Sequence, residues 1–183
     1  MTSTRLSRGI AAAALLTALA LGGCSANPGA AAVVNGERIT EAELSRAVSD
    51  FAAVTGQQVE PGAMLGTLVV APVLLEVGSE HGVAASEDEA VALLDQQAEA
   101  AGLTAPEDGY GSGVIDVAQM TLVNQRLASA PAGAEAAQAI SERISEADVE
   151  ISPRYGEFDP SGQIAPQSLP WIATATTPAT PLG

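Results

Sequence analysis

Twelve residues decide the fold of this chain: Val33-Val34-Asn35-Gly36-Glu37-Arg38-Ile39-Thr40-Glu41-Ala42-Glu43-Leu44. An Asn-Gly pair between apolar positions is the strongest short-range signal for a type I′ turn, because both turn positions take a positive φ. The sequence therefore predicts a small hairpin, or a strand with a turn, around Asn35 and Gly36. Thr40, with Glu43 three residues later, forms a capping box that predicts a helix directly after the hairpin.

The next stretch predicts a buried central helix. Residues 61–75 carry no charge, and acidic residues bound them on both sides. A transmembrane helix needs about 20 apolar residues, and this stretch is shorter and contains Pro72. We therefore expect a core helix, beginning near Pro61 and ending at His81-Gly82, rather than a membrane span.

Three more helices follow from helical spacing and end signals. One begins at the Ser86 capping box and ends at Gly102, one covers 114–127, and one closes near Ala147. Their predicted apolar positions are Val91, Leu94, Ala98 and Ala101 for the first of these helices, and Ala137, Ile140 and Ile144 for the last.

The apolar period then changes from 3.6 to 2 at Val149-Glu150-Ile151, which predicts a short extended segment. Its candidate partner is Val33-Val34, the other extended signal in the chain. The fold class expected is mainly α, with about five helices and a small strand pairing between the N-terminal and C-terminal segments.

The N-terminal segment has the pattern of a bacterial lipoprotein signal. Arg5 and Arg8 precede an apolar stretch that is too short to span a bilayer stably, and the run Leu21-Gly22-Gly23-Cys24 closes it as a lipobox. Cys24 is the only cysteine, and this pattern predicts its lipidation. An ordinary secretory signal, cut after Ala26 or Ala30, is the alternative.

These signals divide the chain into four parts. Residues 1–23 are predicted to be the signal peptide, 24–30 a tether, 31–160 one helical domain, and 161–183 a disordered tail rich in Pro, Thr and Ala. The 160 residues after the signal suit one domain, a tether and a tail.

Charge excludes one class of partner. Residues 24–183 contain five arginines, no lysine and 22 acidic residues, a net charge of −17. Nucleic-acid binding needs a basic surface, so none is expected. A lipid-anchored protein of this charge is also repelled from anionic headgroups, and should therefore stand off the membrane.

No catalytic constellation, metal site or cofactor site is predicted. His81 lies at a helix end, where capping is its expected role. Gly111-Ser112-Gly113 lacks the spacing of a nucleophile elbow. The acidic groups 87–89 and 107–108 lack the spaced oxygen ligands of a calcium loop.

The C-terminal segment contributes possible contact residues. Arg154 beside Tyr155 predicts a buried or half-buried fork, in which the guanidinium pairs with a carboxylate, and ligand contact is the alternative. Tyr155, Phe158 and Trp171 are candidate anchors for a partner, and Trp171 either folds back onto the domain or docks elsewhere.

Three stretches together resemble the SurA/PrsA N-terminal domain found in extracytoplasmic chaperones and foldases. They are 32–44, 82–91 and 152–159, and the similarity covers about residues 31–160. The last stretch, Ser-Pro-Arg-Tyr-Gly-Glu-Phe-Asp, looks like the closing segment of small actinobacterial lipoproteins, where asparagine usually stands in place of Ser152. The resemblance implies a helical domain whose terminal strands meet.

The resemblance also implies a function. Larger relatives contain a parvulin prolyl isomerase domain of about a hundred residues, for which this single domain has no room, so isomerase activity is not expected. We expect a membrane-anchored extracytoplasmic lipoprotein that binds unfolded or exported polypeptides and assists their folding without ATP. The alternative is a structural lipoprotein that docks on one fixed envelope partner, and an enzyme is the third possibility.

Overall fold

The computed structural model describes residues 28–159 and 161–165, and this part of the chain forms a mainly helical domain with short strands. This confirms the expected fold class. The elements are β1 (Ala30–Val34), β2 (Glu37–Thr40), α1 (Glu41–Thr55), α2 (Pro61–Glu80), α3 (Glu87–Ala100), α4 (Ser112–Ser129), α5 (Gly133–Glu146), β3 (Val149–Ile151), β4 (Glu157–Phe158) and β5 (Ile164–Ala165).

The hairpin forms as predicted. Strands β1 and β2 are antiparallel, and Asn35 and Gly36 connect them with φ values of 51° and 86°, as a type I′ turn requires. Strand β3 pairs with the other side of β1, so the sheet order is β2-β1-β3. The predicted pairing is confirmed in detail, because Val33 lies opposite Glu150 and Val34 opposite Val149.

Both predicted capping boxes are present. At the start of α1, the Thr40 N–H donates to Glu43 Oε2 at 2.7 Å, and the Glu43 N–H donates back to Thr40 Oγ1 at 3.1 Å. Ser86 and Glu89 make the same reciprocal pair at the start of α3. Gly56 ends α1 in the left-handed conformation that a residue with a Cβ takes less readily.

Helix α2 is the centre of the domain and packs against α1, α4 and α5. Its residues Leu65, Val69 and Val77 are almost completely buried. Among the described helices, α2 is the one long and apolar enough to cross a membrane, but 56% of its apolar window is buried inside the domain. The buried core helix expected from residues 61–75 therefore accounts for this composition.

Two predicted helix faces need correction. On α5 the buried residue is Ala136, whereas Ala137 is exposed, because α5 contacts α2 and α4 through the side that contains Ala136 and Ile140. On α3 the buried positions are Ala90, Leu94 and Ala98. Ala101 is exposed because the helix already ends at Ala100.

The ordered chain continues past the predicted start of the tail. Residues 161–165 lie within the segment expected to be disordered, yet Ile164 pairs with Phe158 and Ala165 with Glu157. Ile164 then packs against α2 at Gly66. The turn between the two short strands is closed locally, by the Asp159 N–H that donates to the Gln163 carbonyl and the Gly162 N–H that donates to the Asp159 carbonyl. At the other end, Ala30 belongs to β1 rather than to the tether.

Candidate functional site

The best candidate site is a cavity of about 530 Å³ between the β1–β2 hairpin, α2 and the first turns of α4. We call it the hairpin pocket. Its volume lies within the range of small-ligand and side-chain pockets. It is lined by Val34, Asn35, Glu37, Arg38, Ile39, Glu43, Leu68, Pro72, Val73, Glu76, Ser112, Gly113 and Asp116.

A glycine at the start of α4 brings the walls of the pocket together. A Cβ on Gly113 would lie 3.0 Å from the Cβ of Ala47 on α1 and 3.3 Å from Leu68 Cδ2 on α2. Those distances are shorter than ordinary carbon–carbon contacts. With a larger residue at position 113, the three helices could therefore not approach each other in this way. The absence of a side chain at Gly113 therefore permits this close helix packing.

A buried carboxylate fixes the start of α4. Asp50 is only 5% exposed, and its Oδ2 accepts hydrogen bonds from the Gly111 N–H at 2.7 Å and from Arg46 Nε at 3.1 Å. Burial of a carboxylate is tolerated only when such partners are present. This arrangement sets the position of α4, and therefore that of Asp116 one turn further along the helix.

One wall of the pocket is apolar. Val34 and Ile39 come from the hairpin, and Leu68 and Val73 from α2. Pro72 lines the same wall in the interior of α2, where it has no N–H to donate to the Leu68 carbonyl. The wall is therefore formed by apolar side chains and the Pro72 ring.

The polar lining of the pocket is mainly acidic. Glu37, Glu43, Glu76 and Asp116 contribute carboxylates, and Arg38 contributes the one positive charge. Two of these acids have partners within the domain: the Thr40 N–H lowers the pKa of Glu43, and Glu76 Oε2 lies 3.5 Å from Arg143 Nη1.

Asp116 is the unusual group in the pocket. It is half-buried and makes no hydrogen bond or ion pair with any described residue. Burial raises the pKa of its carboxyl, and repulsion from Glu87 raises it further. A cation or an N–H donor that entered the pocket would supply the partner that this carboxylate lacks.

The residues weighed from sequence do not gather into a catalytic site. His81 caps the end of α2 and does not line the hairpin pocket. Glu89 serves as the α3 capping residue and pairs with Arg126, and Asp108 lies in the loop before α4. Within the described residues, no group of three or more His, Cys, Asp or Glu side chains could hold a metal ion.

The environment predicted for Arg154 is wrong in part. Arg154 Nη1 does lie 3.3 Å from Glu41 Oε1, but the arginine side chain is 65% exposed and makes one such contact rather than a buried fork. Its guanidinium instead lies 5.4 Å from the centre of the Tyr155 ring. This segment runs over the surface beside α1, so water reaches the guanidinium.

Two of the predicted anchor residues are used inside the domain. The Tyr155 hydroxyl donates to Glu41 Oε2 at 2.5 Å, and Tyr155 and Phe158 both pack against the core formed by β1, α1 and α2. Trp171 lies outside the described residues, as do Cys24 and the lipobox Leu21-Gly22-Gly23.

A second cavity, of about 410 Å³, lies against the N-terminal half of α2. Gly62, Gly66 and Val70 form its floor, and Met120 and Ile164 contribute to its sides. All its described lining residues are uncharged. It could accommodate an apolar side chain, but it offers no charged group for specific recognition.

Sequence reasoning did not single out Asp50 or Asp116. Asp50 occupies a position on the buried face of α1 between Ala47 and Val54, and an acid at such a position signals a buried partner. Asp116 stands among apolar residues of α4 in the same way. In both cases the sequence places an acidic residue among apolar positions of a helix. The partner or cavity that the acid faces is formed by a distant part of the chain.

Comparison with protein-family models, with curated proteins and with solved structures finds no match to this chain. The resemblance to the SurA/PrsA N-terminal domain therefore stays a prediction that depends on the motifs quoted above.

Proposed function

We propose that this protein is a lipoprotein, anchored through Cys24 at the extracytoplasmic face of the bacterial cell membrane, that binds segments of exported or unfolded polypeptides and assists their folding. The hairpin pocket is the observation that supports this proposal most strongly. It combines an apolar wall with acceptor groups, as a site for polypeptide side chains requires.

A neighbouring strand edge suits a polypeptide better than a small molecule. Strand β2 is the outer strand of the sheet β2-β1-β3, and Glu37, Arg38 and Ile39 of this strand line the pocket. An exposed strand edge can pair with an extended segment through main-chain hydrogen bonds, while a pocket beside it takes a side chain.

The proposed activity needs no nucleotide and no bond chemistry. Affinity would come from burial of apolar side chains, at about 25 cal/mol for each Å² removed from water. The strong negative charge keeps a protein with partly filled apolar cavities soluble and favours basic or neutral clients. Prolyl isomerase activity is not part of the proposal.

An aggregation assay tests the polypeptide-binding half of this proposal. The purified full-length protein, held in detergent micelles, is added to a chemically unfolded client upon dilution, and light scattering is followed. We expect scattering to fall as the molar ratio of protein to client rises. Equal scattering with and without the protein, for several clients of different charge, would contradict polypeptide binding.

Cys24→Ala tests the lipid anchor. We expect the wild-type chain to fractionate with membranes and to begin at a lipid-modified Cys24, because two or three acyl chains suffice for stable anchoring. The variant should lose the lipid and remain unprocessed at this position. Mass spectrometry of the N-terminus shows whether the wild-type chain begins at a lipid-modified Cys24. A wild-type chain that begins after Ala26 or Ala30 without lipid would contradict the proposed anchor.

A further inference from the structure

The hairpin pocket has the chemistry of a site for a long cationic side chain. Its apolar wall of Val34, Ile39, Leu68 and Val73 would contact methylene groups. Lysine and arginine both bury an aliphatic stem along such a surface while the charged end seeks polar partners. A purely apolar side chain would leave the Asp116 carboxylate of the pocket without a partner.

The charges in the pocket favour a cation over an anion or a neutral group. Four carboxylates line it against the single guanidinium of Arg38. Asp116 lacks any hydrogen-bond or ion partner among the described residues, although it is half-buried. The pocket therefore presents an unpaired carboxylate, and an ammonium or guanidinium group supplies the N–H donors and the positive charge that pair with one.

We propose that the hairpin pocket binds the lysine or arginine side chain of an extended polypeptide segment, with Asp116 as the carboxylate that pairs with it. This inference rests on the proposed function, because it specifies the class of polypeptide that the site selects. The segment lies along the edge of β2, and its basic side chain enters between the hairpin and α4.

The test compares two fluorescein-labelled peptides of equal length and equal apolar content. One carries lysine and arginine, and the other carries glutamine at the same positions. Binding to the full-length protein in detergent micelles is followed by fluorescence anisotropy. We expect the basic peptide to bind about 10-fold more tightly, the scale of one charge-assisted hydrogen bond.

Asp116→Asn should remove most of that difference and leave the affinity for the glutamine peptide unchanged. Glu99→Gln is the matched control, because Glu99 is an exposed acid on α3 that does not line the pocket, and its loss lowers the negative charge of the chain by the same amount. We expect Glu99→Gln to keep the preference. Thermal unfolding of both variants checks that the fold is intact.

The outcomes separate this inference from the proposed function. If both peptides bind equally to the wild type, or if Glu99→Gln weakens the basic peptide as much as Asp116→Asn does, the assigned site is wrong while polypeptide binding stands. If neither peptide binds and no unfolded client is held in solution, the proposed function itself fails. A free arginine amide that competes as well as the whole basic peptide would overturn the assignment to a polypeptide.

Discussion

Gly78 on α2 lies where α2 and α4 approach each other closely, and replacing it with alanine tests the packing of the domain. A Cβ at this position would fall well inside van der Waals contact with Val123 Cγ1 on α4, and 3.3 Å from Cγ2. Val123 is completely buried, so its side chain has no open space to move into. The clash must therefore be relieved by a shift of one helix against the other.

The magnitude follows from two opposing effects. Overpacking a dense core costs about 1–3 kcal/mol, whereas alanine in place of glycine gains roughly 0.5–1 kcal/mol inside a helix. Gly78 lies two residues before the end of α2, so the gain there is at the low end. We expect Gly78→Ala to reduce the free energy of unfolding by about 1–2 kcal/mol.

Gly66→Ala is the matched control on the same helix. Its Cβ would meet Ile164 at 3.8 Å, an ordinary contact distance, so only the helix-propensity gain applies, and we expect stabilisation of about 0.5–1 kcal/mol. The double variant Gly78→Ala with Val123→Ala should lose less free energy of unfolding than the two single variants lose in sum, because the new methyl group occupies the space that Val123 vacates. The pair should show a coupling of about 1 kcal/mol or more.

Chemical denaturation followed by far-ultraviolet circular dichroism measures these three variants and the single variant Val123→Ala, which completes the cycle. The reasoning is refuted if Gly78→Ala is as stable as Gly66→Ala, since the close approach of α2 and α4 would then be absent. Strict additivity in the double variant would also refute it, because Gly78 and Val123 would then not share the space between the helices.

Four further predictions concern single side chains. Asp50→Ala should lower the free energy of unfolding by about 1–3 kcal/mol, because it leaves the Gly111 N–H without its carboxylate and removes the partner of Arg46; a loss within the error of the measurement would contradict the role of Asp50 at the start of α4. Asp116→Asn should raise stability at neutral pH by at most about 0.5 kcal/mol. That advantage should vanish as the pH falls through the raised pKa of Asp116, where the wild-type carboxyl is neutral too, and a pH-independent difference would be inconsistent with this origin. Ser86→Ala should cost about 1 kcal/mol through loss of the cap. Glu89→Gln should be less stable than the wild type at neutral pH, and the difference should disappear as the pH falls from the usual glutamate pKa of 4.5 through the lowered pKa of Glu89, which hydrogen bonds from Ser86 depress.

The hairpin and the helix starts could be predicted because their causes are local. Asn35-Gly36 selects the turn by its φ values alone, and Thr40 with Glu43 satisfies helix N–H groups within four residues. The pairing of β1 with β3 was also predictable, since the chain offered few extended segments. The pairing of β5 was not predicted, although Asp159 and Gly162 form a local turn before it, because the composition after residue 160 indicated disorder.

The candidate site is formed by parts of the chain that are far apart in sequence, and no local pattern indicates that they come together. The pocket joins the hairpin, the middle of α2 and the start of α4, and Gly113 permits the approach of these helices through Ala47 and Leu68. From sequence, Gly113 reads as loop composition and Asp116 as a polar position in a helix. The face of α5 was missed by one residue at Ala137, since Ala136 and Ala137 are the same residue type and nothing local marks which of them is buried.

The most direct test of the proposed function is photocrosslinking from the hairpin pocket in living cells. A photoreactive amino acid replaces Glu37, an exposed residue on the pocket rim, and a second variant carries it at Glu99, away from the pocket. Mass spectrometry identifies the crosslinked products. A broad set of exported polypeptides in substoichiometric amounts, from Glu37 but not from Glu99, is the predicted result. A single abundant envelope protein, or the same products from both positions, would contradict polypeptide binding by this pocket and would favour a structural lipoprotein with a fixed partner.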